Sequence, residues 1–226
     1  MIKQIHHHSV DMDILTRNGW VLDLGCNDFI FARAMISLGM RVIGVEPIKD
    51  LEVPGDLLNN KNFILINKAC VGIKDVSKKT YFEYHSWSAN SLHNEPGNLH
   101  NKSEHGGHAD NPFKTSYEVE LVTISELMKE HNINQFEYIK IDIEGGEYEV
   151  IENLPKNCVK QFSVEFHDFL SLNPLGDNVE TYHKNLMETH LNDFIVAYQD
   201  VGPLKGKFWA DNRLQRNDVL YVLKSI

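Results

Sequence analysis

Cysteine is scarce and never paired: Cys26, Cys70 and Cys158 are scattered singly along 226 residues, with no C-x-x-C motif. That excludes a disulfide framework and suits a reducing compartment. Long apolar runs are missing as well, and none approaches the roughly 18 residues a membrane-crossing helix needs. The opening stretch, MIKQIHHHSVDMDIL, lacks both the apolar centre and the small-residue cleavage site of a secretory signal. The chain is therefore expected to be cytoplasmic. Positive charge is the third shortage. Lys and Arg number 22 against 32 Asp and Glu, for a formal net charge of -10, and the basic runs are as short as KDVSKKT. Proteins that grip nucleic acid or anionic membranes carry a basic footprint, so neither is expected as a partner. A small molecule or a glycan fits this surface better.

What the chain does have is a core. Hydrophobic residues make up 42% of the sequence, enough for one domain of ordinary size with a single insertion. Apolar runs of strand length alternate with helical patterns, the signature of an α/β sheet. WVLDLG (20–25) reads as a buried strand, and FIFARAMISLG as a helix stopped at Gly39. RVIGVEP (41–47) is a second strand closed by Pro47, and NFILINKACVG (62–72) a third. YEVELVTISEL (117–127) leads into a helix with a capping box, Thr123 with Glu126. FEYIKIDIEGGEYEVIENLP (136–155) repeats strand, turn and helix, and CVKQFSVEFHDF (158–169) is a strand with a polar end. DFIVAYQD (193–200) and NDVLYVLKSI (217–226) read as a closing antiparallel hairpin. Residues 85–116, rich in Asn, His, Ser and Gly, form a long loop insertion of the kind used as a lid or binding loop. Its His93, His100, His105 and His108 lack metal-ligand spacing, and no function is assigned to the run His6–His8.

The turn after the first of these strands carries the chemistry. Ligands of α/β sheets sit beyond the carboxyl ends of the strands. A dinucleotide pyrophosphate demands several bare backbone N–H groups there, yet this turn holds one glycine, Gly25, followed by Cys26, Asn27, Asp28 and Phe29. Glu46 follows at the end of the next strand, where an acid accepts hydrogen bonds from ribose hydroxyls. An adenosine-bearing ligand without a diphosphate fits, and S-adenosylmethionine is one. Asp23 and Asn27 can serve its amino-acid end.

DLGCNDFIFA, VIGVEP, INKACVG, YIKIDIEGGEYEVIENL and FSVEFH together resemble the successive motifs of FkbM-type S-adenosylmethionine-dependent methyltransferases. KIDIEGGE is the most specific piece, and the resemblance runs from about Trp20 to His167. It implies a Rossmann-like class I methyltransferase fold, a seven-stranded, mostly parallel sheet with an antiparallel last strand and helices on both faces. It also implies O-methylation of a sugar or small natural product. Asp23, Gly25, Cys26 and Asn27 would form the methionine-side loop, and Glu46 would hold the ribose. The segment 67–71 would border the adenine, with Pro47, Ala69 and Asp142 completing the cofactor-binding set. The family usually carries a second glycine where this chain has Phe29.

Asp142 and Glu144 close one inner strand, and Glu165, His167 and Asp168 the next. Neighbouring strands lie about 4.8 Å apart, so these groups can meet in one cleft. Methyl transfer to a hydroxyl needs that hydroxyl oriented and its proton accepted. His167 suits the general base, oriented by Asp142 or Glu165. Alternatively Asp142, Glu165 and His167 hold a divalent ion, Mg²⁺ or Mn²⁺, that acidifies the hydroxyl. Glu147 and Glu149 read as a solvated helix face. In the loops, Trp87, Ser88, Asn90, Ser91 and Trp209 are candidate acceptor contacts. Two other readings remain at this level: a nicotinamide-dependent reductase on a Rossmann sheet, and a non-catalytic relative that binds a nucleoside.

Overall fold

The computed structural model describes residues 1–84, 90–92, 113–166, 179–201 and 216–224. It opens with an N-terminal hairpin, β1 (Ile2–Ile5) and β2 (His8–Asp11). The main strands are β3 (Trp20–Leu24), β4 (Arg41–Val45), β5 (Phe63–Ile66), β9 (Tyr138–Ile141), β10 (Gln161–Val164), β11 (Phe194–Val201) and β12 (Arg216–Leu223). They form a seven-stranded sheet in the order β11-β12-β10-β9-β3-β4-β5. Pairings among β5, β4, β3, β9 and β10 are parallel, and β12 runs antiparallel to both β10 and β11. A side sheet joins β6 (Ala69–Cys70), β8 (Phe113–Val122) and β7 (Lys78–Tyr84). The helices are α1 (Ile30–Ser37), α2 (Gly55–Leu58), α3 (Ile124–Glu130), α4 (Glu147–Glu152) and α5 (Val179–Thr189). No helix among the described residues is long and apolar enough to cross a membrane.

The central strands are mostly apolar because both faces of the sheet are covered, with Asp23, Lys140 and Ser163 as buried polar interruptions. Leu22, Leu24, Ile43, Val45, Ile139 and Ile141 share one cluster, which α3 and α4 complete with Leu127, Tyr148 and Ile151. Val21, Val42 and Tyr138 share the opposite one with Phe31, Ala32 and Met35 of α1 and Val10 of β2. The alternation of 21 against 22 and 138 against 139 is the period of two that a strand imposes. Each fully buried large side chain here contributes about 1.5–3 kcal/mol.

Local signals fix the element ends. The capping box at α3 is present: Glu126 N–H donates to Thr123 Oγ1 at 3.2 Å, and Thr123 N–H to Glu126 Oε2 at 2.9 Å. The expected single strand 62–72 is two strands in different sheets. Asn67 breaks it, turning its Nδ2 to the carbonyls of Glu46 and Ile48 at 2.9 and 2.7 Å, after which β6 pairs with β8. The side sheet also extends the chain's order further than expected, since β8 starts at Phe113, inside the segment read as loop.

Candidate functional site

Between the end of β3 and α1 the backbone turns at Gly25, whose φ is +77°. A Cβ there would stand 1.8 Å from the carbonyl oxygen of Asp142, so only glycine allows the β3 and β9 ends to meet. Phe29 also takes the left-handed conformation, at φ +61°, where the family's usual second glycine would sit without strain. Its ring is held by apolar packing. It lies edge-on to Phe63 with centroids 5.8 Å apart, in a cluster with Cys26 and Leu57, and so turns into the helix packing rather than across the loop. Asp28 Oδ1 accepts the Ile30 N–H at 2.9 Å where α1 begins.

A cavity of about 340 Å³ opens at this end of the sheet, a size that admits a small ligand. Asp23, Gly25, Cys26, Asn27, Glu46, Pro47, Ala69, Asp142 and Glu165 all line it, together with Tyr81, Asn90, Lys140 and Glu144. His167, Asp168, Trp87, Ser88, Trp209 and the four loop histidines lie outside the described residues. Glu46 is buried at the tip of β4. Its oxygens accept the N–H groups of Asn27 at 3.3 Å and Ile48 at 3.4 Å, and the Tyr81 hydroxyl stands 3.5 Å away. Burial pushes its carboxyl up to about 7, against the opposing pull of those N–H groups and of Lys140. Burial also drives the Cys26 thiol well above its ordinary value, so this cysteine packs and does not react.

Beneath the cavity runs a polar row that the sequence does not announce. Asp23 of β3 pairs in register with Lys140 of β9, which pairs with Ser163 of β10. All three are buried. Lys140 Nζ lies 3.2 Å from Asp23 Oδ1 and 3.3 Å from Asp142 Oδ2, and donates to the carbonyls of Gly25 at 2.7 Å and Leu24 at 3.3 Å. Burial alone would lower its pKa, yet Asp23 and Asp142 outweigh that and hold the ammonium above the ordinary lysine range.

The N-terminal hairpin lies on this row. Gln161 fastens it, accepting the Asp11 N–H at 2.8 Å and donating to the Asp11 carbonyl at 2.9 Å. Its turn puts His6 and His7 at the cavity wall and buries His8, whose Nδ1 is 2.8 Å from Ser163 Oγ and whose Nε2 is 3.7 Å from Asp142 Oδ2. Burial pushes the His8 imidazole down to about 4, so it is neutral at pH 7. The histidine run left without a function is thus part of the site.

The strand ends meet as expected: Asp142 follows β9, Glu165 follows β10, and the Glu165 N–H donates to the Ile141 carbonyl at 3.0 Å. Asp142 and Glu144 do not share a strand face, because β9 ends at Ile141 and Glu144 has a φ of +54°. Glu147 is not a solvated residue. It is fully buried and accepts the N–H groups of Ile143 at 3.2 Å and Gly145 at 3.0 Å, stapling the IEGG turn. Glu149, half-buried, accepts the Ile73 N–H at 3.0 Å. Of the loop candidates, Asn90 lines the cavity, and Ser91 Oγ donates to the Glu144 carbonyl at 2.6 Å.

The family model described as Methyltransferase FkbM domain matches residues 26–198. No curated protein matches the chain.

Proposed function

The chain belongs to the FkbM methyltransferase family, and on that premise we propose that it is an S-adenosylmethionine-dependent O-methyltransferase acting on a sugar or small natural-product hydroxyl. One observation carries the reading. A buried carboxylate, Glu46, faces a single-glycine turn across one cavity, an arrangement with an acceptor for ribose hydroxyls and no bare cradle for a diphosphate. The strand order, with one antiparallel strand near the edge, agrees with the class I methyltransferase arrangement.

When bound, S-adenosylmethionine supplies an electrophilic methyl group on a sulfonium. Glu46 would accept from the ribose, Asp23 and Asn27 would serve the amino-acid end, and Pro47 and Ala69 would border the adenine; all five line the one cavity. Lys140 fixes the Gly25 turn through two carbonyls and balances Asp23 and Asp142. Asp142 and Glu165 orient the acceptor hydroxyl, and His167, two residues beyond Glu165, takes its proton. Asn90 and the His6–His7 turn face the same space and contact the acceptor. The partner is a small molecule or a glycan, as the acidic charge suggests.

The reading is tested by incubating the protein with S-adenosylmethionine labelled in the methyl group and a panel of hydroxyl acceptors. Label should move to a sugar or polyol oxygen. His167→Ala should abolish that transfer and leave cofactor affinity within about twofold, by calorimetry. Undiminished turnover in the variant would remove His167 from the mechanism.

A further inference from the structure

We propose that the turn of the N-terminal hairpin, His6 and His7, selects the acceptor, and that this acceptor is an uncharged polyol ring, a sugar or cyclitol without phosphate or carboxylate. Calling the bound polyol an acceptor rests on the methyl-transfer reading; the preference of the cavity for a neutral polyol does not.

The charges around the cavity disfavour an anion. Asp23, Asp142, Glu144 and Glu165 line it besides Glu46, and among the described lining residues Lys140 is the only lysine or arginine. Its ammonium is already engaged. It stands 3.2 Å from Asp23 Oδ1 and 3.3 Å from Asp142 Oδ2, and donates to the carbonyls of Gly25 and Leu24. A phosphate or carboxylate entering here meets acids in a partly dry site, where like charges repel strongly. A neutral ring meets no such barrier, and its O–H groups find acceptors in the same acids.

The hairpin supplies the reading surface. Ile5 pairs with His8, so His6 and His7 make up the whole two-residue turn. His6 has a φ of +55°, which glycine or asparagine takes easily in such turns and an imidazole-bearing residue resists. A bulky ring held there against local preference, at a cavity wall, marks a functional constraint. The turn is fixed in place from behind. Gln161 holds both the N–H and the carbonyl of Asp11, Tyr138 donates to the Ser9 carbonyl at 2.9 Å, and His8 Nδ1 lies 2.8 Å from Ser163 Oγ. Those partners sit on β9 and β10, the strands that Asp142 and Glu165 follow. His6 Nε2 also stands 3.7 Å from Asp28 Oδ2, so the turn reaches the loop that begins α1. The two rings, with centroids 4.2 Å apart, offer flat faces to C–H groups, and a neutral imidazole adds one donor and one acceptor nitrogen for hydroxyls. Burial holds the His6 imidazole below its ordinary value, which favours that neutral form at pH 7.

The test is saturation-transfer NMR on the full chain without cofactor, with methyl hexosides, inositol and hexose 1-phosphates as probes. The neutral probes should receive saturation, and the phosphates about a tenth as much or less. His6→Gly suits the backbone conformation and should fold. It should weaken the best neutral probe by about tenfold, the worth of one or two lost hydrogen bonds, while S-adenosylhomocysteine affinity stays within about twofold. Phosphates that bind as well as the neutral probes, no binding of either, or a neutral-probe affinity unchanged in His6→Gly would each overturn the proposal. Failure of the methyl-donor reading would show instead as a bound polyol, lost in His6→Gly, on a wild-type chain that neither binds S-adenosylhomocysteine nor transfers label.

Discussion

Replacing Glu46 with alanine should lower the affinity for S-adenosylhomocysteine by about 10²–10⁴-fold. Two ribose hydroxyls lose a charged acceptor, each such bond is worth about 1.5–3 kcal/mol, and about 1.4 kcal/mol is a factor of ten. The loss should come without unfolding. The Glu46 carboxyl sits at about 7, raised from 4.5 mainly by burial. A raised acid contributes stability that is present below pH 4.5 and lost as pH rises through about 7. Removing it should therefore leave the apoprotein no less stable at pH 8. The same sign fixes the pH dependence of binding. Ribose hydroxyls donate to the ionised form, so wild-type affinity should fall about tenfold for each pH unit below 7 and level off above it. In Glu46→Gln that slope should vanish. Calorimetry across pH 5–8.5 checks both, and a pH-independent wild-type affinity would remove Glu46 from the ribose.

Lys140→Met should cost about 3–5 kcal/mol of folding stability by chemical denaturation, because it leaves the Asp23 carboxylate buried without its cation. The two side chains are 4% and 0% exposed, so water cannot substitute. The carbonyls of Leu24 and Gly25 lose their donor as well, which loosens the turn that Gly25 makes. Adding Asp23→Asn to Lys140→Met should recover more than half of the loss, since the unpaired charge goes with it. A single variant as stable as the wild type would show that the row is not an ion-paired support.

The strands of the main sheet were legible because burial on both faces leaves mostly apolar runs: VLDL, VIGV, YIKI and FSV mark β3, β4, β9 and β10, each of them but VIGV broken by one polar residue. Gly25, Glu46 and Pro47 were legible because turn and strand end are local signals. Lys140 was not, although it sits in plain view inside YIKI. Its meaning lies in cross-strand register with Asp23 and Ser163, and no window of one strand contains that. His8 failed to stand out as well, since a four-residue strand that opens on the last of three histidines has no apolar pattern to read. Glu147 misled in the opposite way. An acid at the start of a helix usually faces solvent, but here the positive-φ turn at Glu144 and Gly145 folds N–H groups back onto it. The extent of the match over residues 26–198 leaves the N-terminal hairpin outside, though its turn walls the cavity.

The central claim is that the first crossover holds an adenosyl sulfonium compound and not a dinucleotide. Isothermal titration of S-adenosylhomocysteine into the folded protein at pH 8 tests it most directly, with reduced nicotinamide dinucleotide titrated under the same conditions. One binding site per chain for the first, and no heat from the second, is the expected result. A folded chain that binds the dinucleotide and ignores S-adenosylhomocysteine would contradict it.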